Sequence, residues 1–571
     1  MPKQKSKPRV PGFSPVAAAR PKGYAEARLL PFLDRHSLLL ALLAVATAVA
    51  RIASTYTAMS VTVDEPGHFA CGLQYLARHI YTYESQHPPL ARAMTALPPY
   101  LSGVRPLGDP RPDIEGMRLL GKWGPDRLLT LMRLGILPFF VLACVVVYVW
   151  ARHYFGGAAA FFAVAFFTLL PQVLADAGLA TTDMALAACL GAAFLALILW
   201  AESPTWKRSV LLGLASASAA LAKFTALGFF PAATALALTG YLAIRRPGLR
   251  KLWQLLRVRL LPFALAVAVG ALAVWAAYWF SFGEVPGWNT SLPAPEFFDG
   301  INVAMKHSSA GHLAYLLRRF SIVGWWYYFP VALAVKTPIV LLLLTAAGTC
   351  LIWKRRWRNA YLPIALFLGI LLPSMASHVN IGIRHILPVY LAFAILAAIA
   401  MVQLLRWAGT RAAAALAVAL PLLWMAVAGG RAHPNYLAYF NAFAGGKPED
   451  ILLDSNFDWG QGWKLLARRL RELNVREVHG YGLEAGGEYP TFRAWYGLPD
   501  YQPLNASQPE TPDPGWTVVR IYADKYRPQS AVITTANGLR FVEPWYHRVV
   551  PTERVAGFLL YKVTPGFVPG S

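Results

Sequence analysis

The residues best suited to chemistry concentrate in one stretch, 60–89, which reads SVTVDEPGHFACGLQYLARHIYTYESQHPP. Adjacent carboxylates, Asp64 and Glu65, open it, and His68 follows within about one helical turn. Gln86-His87-Pro88-Pro89-Leu90 closes it. A carboxylate can take a proton from a hydroxyl or amine nucleophile, and a neighbouring acid can orient that base. Two prolines fix the direction of the exit, so His87 is held rigidly where an imidazole could meet a phosphate. A solvated loop ending in an ordinary turn would use the same residue types, so the surroundings must decide.

Those surroundings contain a second set of residues, cations inside or beside apolar runs. They are Arg133, Lys223 in LAKFTAL, Lys336, and Arg384-His385 in NIGIRHILPVY. Each is expected near the outer boundary of a membrane, where a buried cation requires an anionic partner. A lipid-linked phosphate is one such partner, and an internal ion pair or snorkelling is the alternative.

Composition supports the membrane. The 571 residues are 56% hydrophobic and 14% charged, with a mean hydropathy of +0.43. Apolar runs of about 17–23 residues recur, each long enough to cross a roughly 30 Å hydrocarbon core. Eleven spans are expected, near 36–54, 128–150, 156–175, 182–201, 209–221, 228–244, 260–280, 329–353, 359–375, 386–405 and 411–429. The formal charge of +24 would suit nucleic acid if it were spread evenly. However, the short segments 1–37, 151–157, 201–208, 244–259, 354–358 and 406–411 hold 23 Lys/Arg against 3 Asp/Glu. That is the positive-inside pattern of a multi-pass protein, and no nucleic-acid partner is expected. The expected topology is a basic cytoplasmic tail (1–35), a transmembrane domain (36–430) with outer loops 55–127 and 281–328, and an outer-face or periplasmic domain (431–571).

Residues 431–571 carry 15 basic and 14 acidic residues and have ordinary globular composition. A helix capped by Asp458 and running to residue 474, followed by short Val/Ile/Tyr strands, predicts a small α/β domain. The Pro/Gly-rich segment 105–125 is expected to be irregular. Cys71, Cys144, Cys189 and Cys350 are far apart and form no CxxC pair, so neither a disulfide framework nor a metal site is expected, and no cofactor.

DEPGHFACGLQYL…YTYESQHPPL resembles the first outer loop of the protein O-mannosyltransferase-like glycosyltransferases, multi-spanning enzymes of the GT-C class. TTDMALA, LAKFTAL and NIGIRHILPVY are similar to further parts of that group, and HPNYLAYFNAFAGG…DSNFDWGQGWKLLARRL resembles a segment of its bacterial members. The resemblance implies a GT-C transmembrane fold and an inverting transfer of sugar from a polyprenyl-phosphate donor to a protein, lipid or glycan acceptor. It implies that Asp64 is the base or acceptor-orienting group, with Glu65 beside it. His87, Arg133, Lys336, Arg384 and Lys223 would face the donor phosphate, and His68, Asp183 and His385 the acceptor or sugar. The family's acidic residue directly before the histidine is replaced here by Ser85-Gln86, with Glu84 displaced. An oligosaccharyltransferase- or ligase-like enzyme of similar architecture, and a non-catalytic lipid-binding or transport protein, are the alternative readings.

Overall fold

The computed structural model describes residues 24–355, 359–484, 489–505, 508–526, 531–535 and 538–569. The expected basic tail lies outside the described residues as far as residue 23, as does most of the basic anchor 354–358.

Each of the eleven expected spans folds as helix, but not in one form. Among the described residues seven helices are long and apolar enough to cross a membrane: Ala25–Ala53, Pro125–Phe155, Asp183–Glu202, Ala226–Arg245, Leu249–Ala277, Val389–Trp407 and Arg411–Ala432. Two more spans are bent pairs, Gly157–Leu169 with Pro171–Ala177 at 68° and Tyr328–Lys336 with Ile339–Trp353 at 115°. Proline explains both breaks. Leu170 and Thr337, each directly before a proline, leave the helical region for extended backbone. The remaining two expected spans are the shorter helices Trp206–Ala222 and Leu362–Met375. The latter has 14 residues, about 21 Å at 1.5 Å per residue, and so falls short of a straight crossing. The protein is a multi-pass membrane protein.

Val389–Trp407 runs through the centre of the bundle and is apolar and buried on every side. Leu249–Ala277 is its opposite, with Leu260, Leu261, Val267 and Leu272 exposed to what must be lipid. Beyond the site end of the bundle, Glu65–Arg78, Pro89–Leu101 and Pro112–Trp123 stack together. The last of these occupies the segment expected to be irregular. Pro112 sits in its first turn, where the missing N–H costs nothing, and Gly124 ends it at φ +85°.

The C-terminal region contains a five-stranded mixed sheet. Its strands are β1 (Glu477–Tyr481), β2 (Asp500–Pro503), β3 (Gly515–Arg520), β4 (Glu553–Val555) and β5 (Phe558–Val563), in the order β4-β5-β3-β1-β2. β1 runs parallel to β2 and β3, and helix Tyr489–Tyr496 makes the crossover from β1 to β2. The sheet shares one hydrophobic core with the loop helices: Phe69, Leu119, Leu129 and Met132 pack with Trp463, Leu466, Val478 and Phe492.

The first thirty residues after 430 are built into the bundle. Ser60 N–H donates to the Gln461 carbonyl (3.1 Å), Val63 N–H to the Trp459 carbonyl (3.1 Å), and Trp463 N–H to Ser60 Oγ (3.0 Å). This pairing shortens the helix expected from Asp458, which forms only over Trp463–Glu472. Asp458 instead accepts from Gly460 N–H (3.0 Å) and pairs with Arg520 (3.0 Å).

Candidate active site

The adjacent carboxylates at 64 and 65 face opposite fates. Glu65 begins the helix Glu65–Arg78, with Pro66 in the first turn, and its side chain is sealed from solvent. Arg133 clamps it with Nε to Oε1 at 2.8 Å and Nη2 to Oε2 at 2.9 Å. The N–H groups of Thr62 (2.8 Å) and Ala180 (2.9 Å) complete the cradle. Burial alone would raise the Glu65 carboxyl, but Arg133 and these hydrogen bonds hold it below the usual range. The other Arg133 donors go to the carbonyls of Tyr56 (3.3 Å), Met59 (3.4 Å) and Ser60 (2.8 Å). All five of its N–H groups are therefore engaged, and none is left for a phosphate. Arg133 ties the loop that carries Asp64 to the bundle.

Asp64 remains partly open, with 37% of its side chain exposed, and its one ionic contact among the described residues is Arg384 Nη2 at 3.5 Å. Arg384 lies on the short turn Ile383–Ile386 and is itself buried. Its Nη1 reaches Asp183 Oδ2 at 3.3 Å and its Nε donates to Ser455 Oγ at 3.0 Å. The guanidinium carbon lies 3.9 Å from the ring centre of Trp459. Asp183 opens Asp183–Glu202, where the helix dipole favours a negative charge, and it accepts from Lys223 Nζ at 2.6 Å. A chain of alternating charge thus runs Asp64, Arg384, Asp183, Lys223. Two N–H groups of Arg384 have no acceptor among the described residues, so this cluster retains capacity for an anion.

A second network holds His87. Its carbonyl accepts from Tyr81 Oη at 2.6 Å, and its imidazole Nδ1 lies 3.2 Å from Arg92 Nη2. Arg92 Nε donates to His68 Nδ1 at 3.0 Å, and the two imidazoles meet edge to face at 5.0 Å. Glu84 forms a short ion pair with Arg92 and accepts the His87 N–H at 3.2 Å, so the displaced carboxylate returns to the histidine. Burial, and then the positive charge of Lys223, lower the His87 pKa to about 4. Burial, and then Arg92, put His68 well below its ordinary value. Both rings are therefore neutral near pH 7. Because each accepts at Nδ1, each carries its proton on Nε2 and can donate from there.

The remaining expected residues divide. His385 is held well below its ordinary pKa by burial and then by Lys223, and its Nε2 has no hydrogen-bond partner among the described residues. It feels the charges of Arg384 and Asp183, so it belongs to the same cluster. Lys336 does not join it. Its ammonium donates to the carbonyls of Leu437 (2.7 Å) and Asn456 (2.6 Å) and lies 4.1 Å from the centre of the Phe440 ring, so it fastens the segment after residue 430. Among the described residues no three His, Cys, Asp or Glu side chains are grouped to hold a metal.

Sequence reading missed Arg92, Ser455 and Trp459, and named Glu84 only as a displaced acid. Arg92 had a signal: a cation in the first turn of Pro89–Leu101 opposes the helix dipole and needs a nearby carboxylate, which Glu84 supplies. Ser455 and Trp459 lay inside a recognised motif to which no chemistry had been attached.

The family model for dolichyl-phosphate-mannose-protein mannosyltransferase matches residues 129–279, a stretch that contains Arg133, Asp183 and Lys223. The resemblance drawn from the sequence is thus met by a family model over about a quarter of the chain. Comparison with curated proteins gives no match. Among solved structures the chain is similar to ArnT from Cupriavidus metallidurans bound to undecaprenyl phosphate, with a TM-score of 0.47 and 16% identity, covering 91% of this chain and 97% of that one. It is also similar to the oligosaccharyltransferase AglB from Archaeoglobus fulgidus in complex with an inhibitory peptide and a dolichol-phosphate. There the TM-score is 0.44 and the identity 12%, covering 89% of this chain and 74% of that one.

Proposed function

We propose that this protein is a membrane glycosyltransferase that moves a sugar from a polyprenyl-phosphate donor to a hydroxyl or amine acceptor at the outer face of the cell membrane. The observation that carries this reading is the contrast among the carboxylates. Glu65 and Asp183 are sealed and ion-paired, whereas Asp64 is partly exposed and lies in one charged cluster with Arg384, Lys223 and the neutral His87. The family match over 129–279 points to the same chemistry.

In the proposed reaction the acceptor oxygen or nitrogen attacks the anomeric carbon from the side opposite the phosphate. The carbon–oxygen bond to phosphate breaks, the polyprenyl phosphate leaves with the electron pair, and the acceptor proton passes to Asp64. One displacement inverts the anomeric centre. Charge gathers on the leaving phosphate, which calls for electrostatic stabilisation more than for an acid. Arg384, Lys223 and the Nε2–H of His87 supply it. Glu65–Arg133 and His68–Arg92 are positioning pairs, and Lys336 secures the strap that brings Ser455 and Trp459 against Arg384. Asp183 sets the spacing of the two cations, and His385 lies next to the sugar.

The test is to incubate the purified protein in nanodiscs with undecaprenyl-phosphate hexoses and a panel of peptide, lipid and glycan acceptors, reading donor loss and product mass by mass spectrometry. A product gaining one hexose, with the anomeric configuration inverted by NMR, is expected. No donor consumption across the panel, or a product carrying a preassembled glycan, would overturn the reading.

A further inference from the structure

One residue of the segment DSNFDWGQGW is not accounted for by the packing it helps to build. Ser455 takes the Arg384 Nε–H (3.0 Å) and donates to the Ile381 carbonyl (2.8 Å). Asn456 accepts the Ile383 N–H (2.9 Å) and donates to Tyr328 Oη (2.9 Å). Asp458 pairs with Arg520, Trp459 stacks against Arg384, and Gln461 accepts the Trp459 N–H at 2.7 Å. Asp454 differs. Its Oδ1 accepts only the N–H of the next residue, Ser455 (2.6 Å), and its other oxygen has no hydrogen-bond partner among the described residues. It forms no ion pair within 4 Å among the described residues, although Arg384 and Asp64 are both within electrostatic reach, and it is only half-buried.

Around it stands an aromatic wall. Leu453 and Phe457, on either side of Asp454 in the chain, pack with Ile521, Tyr315 and the partly buried Tyr526. Tyr526 stacks on Tyr522 with ring centres 4.4 Å apart, and both rings feel the Asp454 charge. A carboxylate oxygen free to accept, with a stacked tyrosine pair nearby, suits a polyhydroxylated ring. The carboxylate receives hydroxyl protons, and the aromatic faces cover the C–H surface.

We infer that Asp454, with the Tyr522–Tyr526 wall, binds hydroxyl groups of the donor's sugar. This rests on the glycosyltransferase reading above. Ser455, the next residue, holds Arg384, so a sugar whose phosphate lies on Arg384 and Lys223 comes within reach of Asp454. The C-terminal strap then contributes sugar selection to a site whose reacting groups come from the bundle.

Asp454 has left-handed backbone, φ +57°, which Asn adopts as readily as Asp and Gly more readily still. Asp454→Asn and Asp454→Gly therefore both preserve the chain path. Binding of two probes, undecaprenyl phosphate and undecaprenyl-phosphate hexoses (mannose, glucose and galactose), would be measured in nanodiscs for the wild type and both variants. Both variants are expected to bind undecaprenyl phosphate as the wild type does, and to lose roughly 10- to 100-fold in affinity for the hexose-bearing lipid that the wild type prefers. Unchanged binding of both probes, or equal loss of both, would overturn the inference and leave the glycosyltransferase reading standing. A wild type that binds neither probe would overturn both.

Discussion

At the scale of single residues, the division of labour between neighbours 64 and 65 is the main finding. A sealed ion pair such as Glu65–Arg133 is costly to break because the survivor is left as an uncompensated buried charge. Arg133→Met is expected to destabilise the protein by about 3–5 kcal/mol, and Glu65→Leu added to it should restore part of that loss. Thermal unfolding in detergent measures both. A stable Arg133→Met variant with a raised donor KM would instead place Arg133 at the phosphate. His87 gives a pH prediction. Its folded pKa of about 4 lies below the ordinary 6.5, so protonation favours the unfolded chain. Its contribution to stability is complete above pH 6.5 and is lost as pH falls towards 4. His68 and His385 are depressed in the same direction, and Lys223, Arg384, Asp64 and Asp183 surround the group. His87→Gln is therefore expected to flatten only part of the fall in melting temperature over that window. A fall as steep as that of the wild type would show that the His87 pKa is not depressed in the fold.

At the scale of elements, helices that meet at glycine set the geometry. Gly72, on Glu65–Arg78, lies against the carbonyl of Arg92 on Pro89–Leu101, and a β-carbon there would run into backbone. Gly67, one turn earlier on the same helix, has open space around its missing β-carbon. Gly72→Ala is expected to cost about 1–3 kcal/mol and to lower activity by displacing Arg92 from His87 and His68, while Gly67→Ala is neutral or slightly stabilising. Paired melting curves and turnover assays would check the contrast, and equal effects would contradict it. The elements themselves were largely legible: each of the eleven expected runs falls on helix, though only seven to nine are long enough to cross a membrane, and the carboxylates and cations stood out because charge is rare there. Their pairing was not. Whether Arg133 meets a phosphate or Glu65, and whether Lys336 meets an anion or two carbonyls, depends on contacts between residues far apart in the chain. The helix Pro112–Trp123 was hidden because prolines read as loop signals also start helices. The shortening of the helix after Asp458 follows from pairing with residues 60–63, four hundred positions away.

At the scale of the whole molecule, the C-terminal region is continuous with the site. Its strap carries Ser455 and Trp459 to Arg384, and its sheet shares a core with the loop helices. A chain ended at residue 430 is therefore expected to lose donor turnover as well as acceptor choice, and to aggregate through the uncovered faces of Phe69, Leu119 and Leu129. Size-exclusion profiles and donor consumption would show it, and wild-type donor consumption by the shortened chain would separate the strap from the chemistry. The measurement that bears most directly on the central claim compares wild type with Asp64→Asn, since the amide keeps the size of the side chain and removes the proposed base. With an undecaprenyl-phosphate hexose and an acceptor that the wild type uses, Asp64→Asn is expected to transfer sugar about 10²–10⁴-fold more slowly while melting at the wild-type temperature. Transfer at the wild-type rate by a folded Asp64→Asn protein would contradict the account.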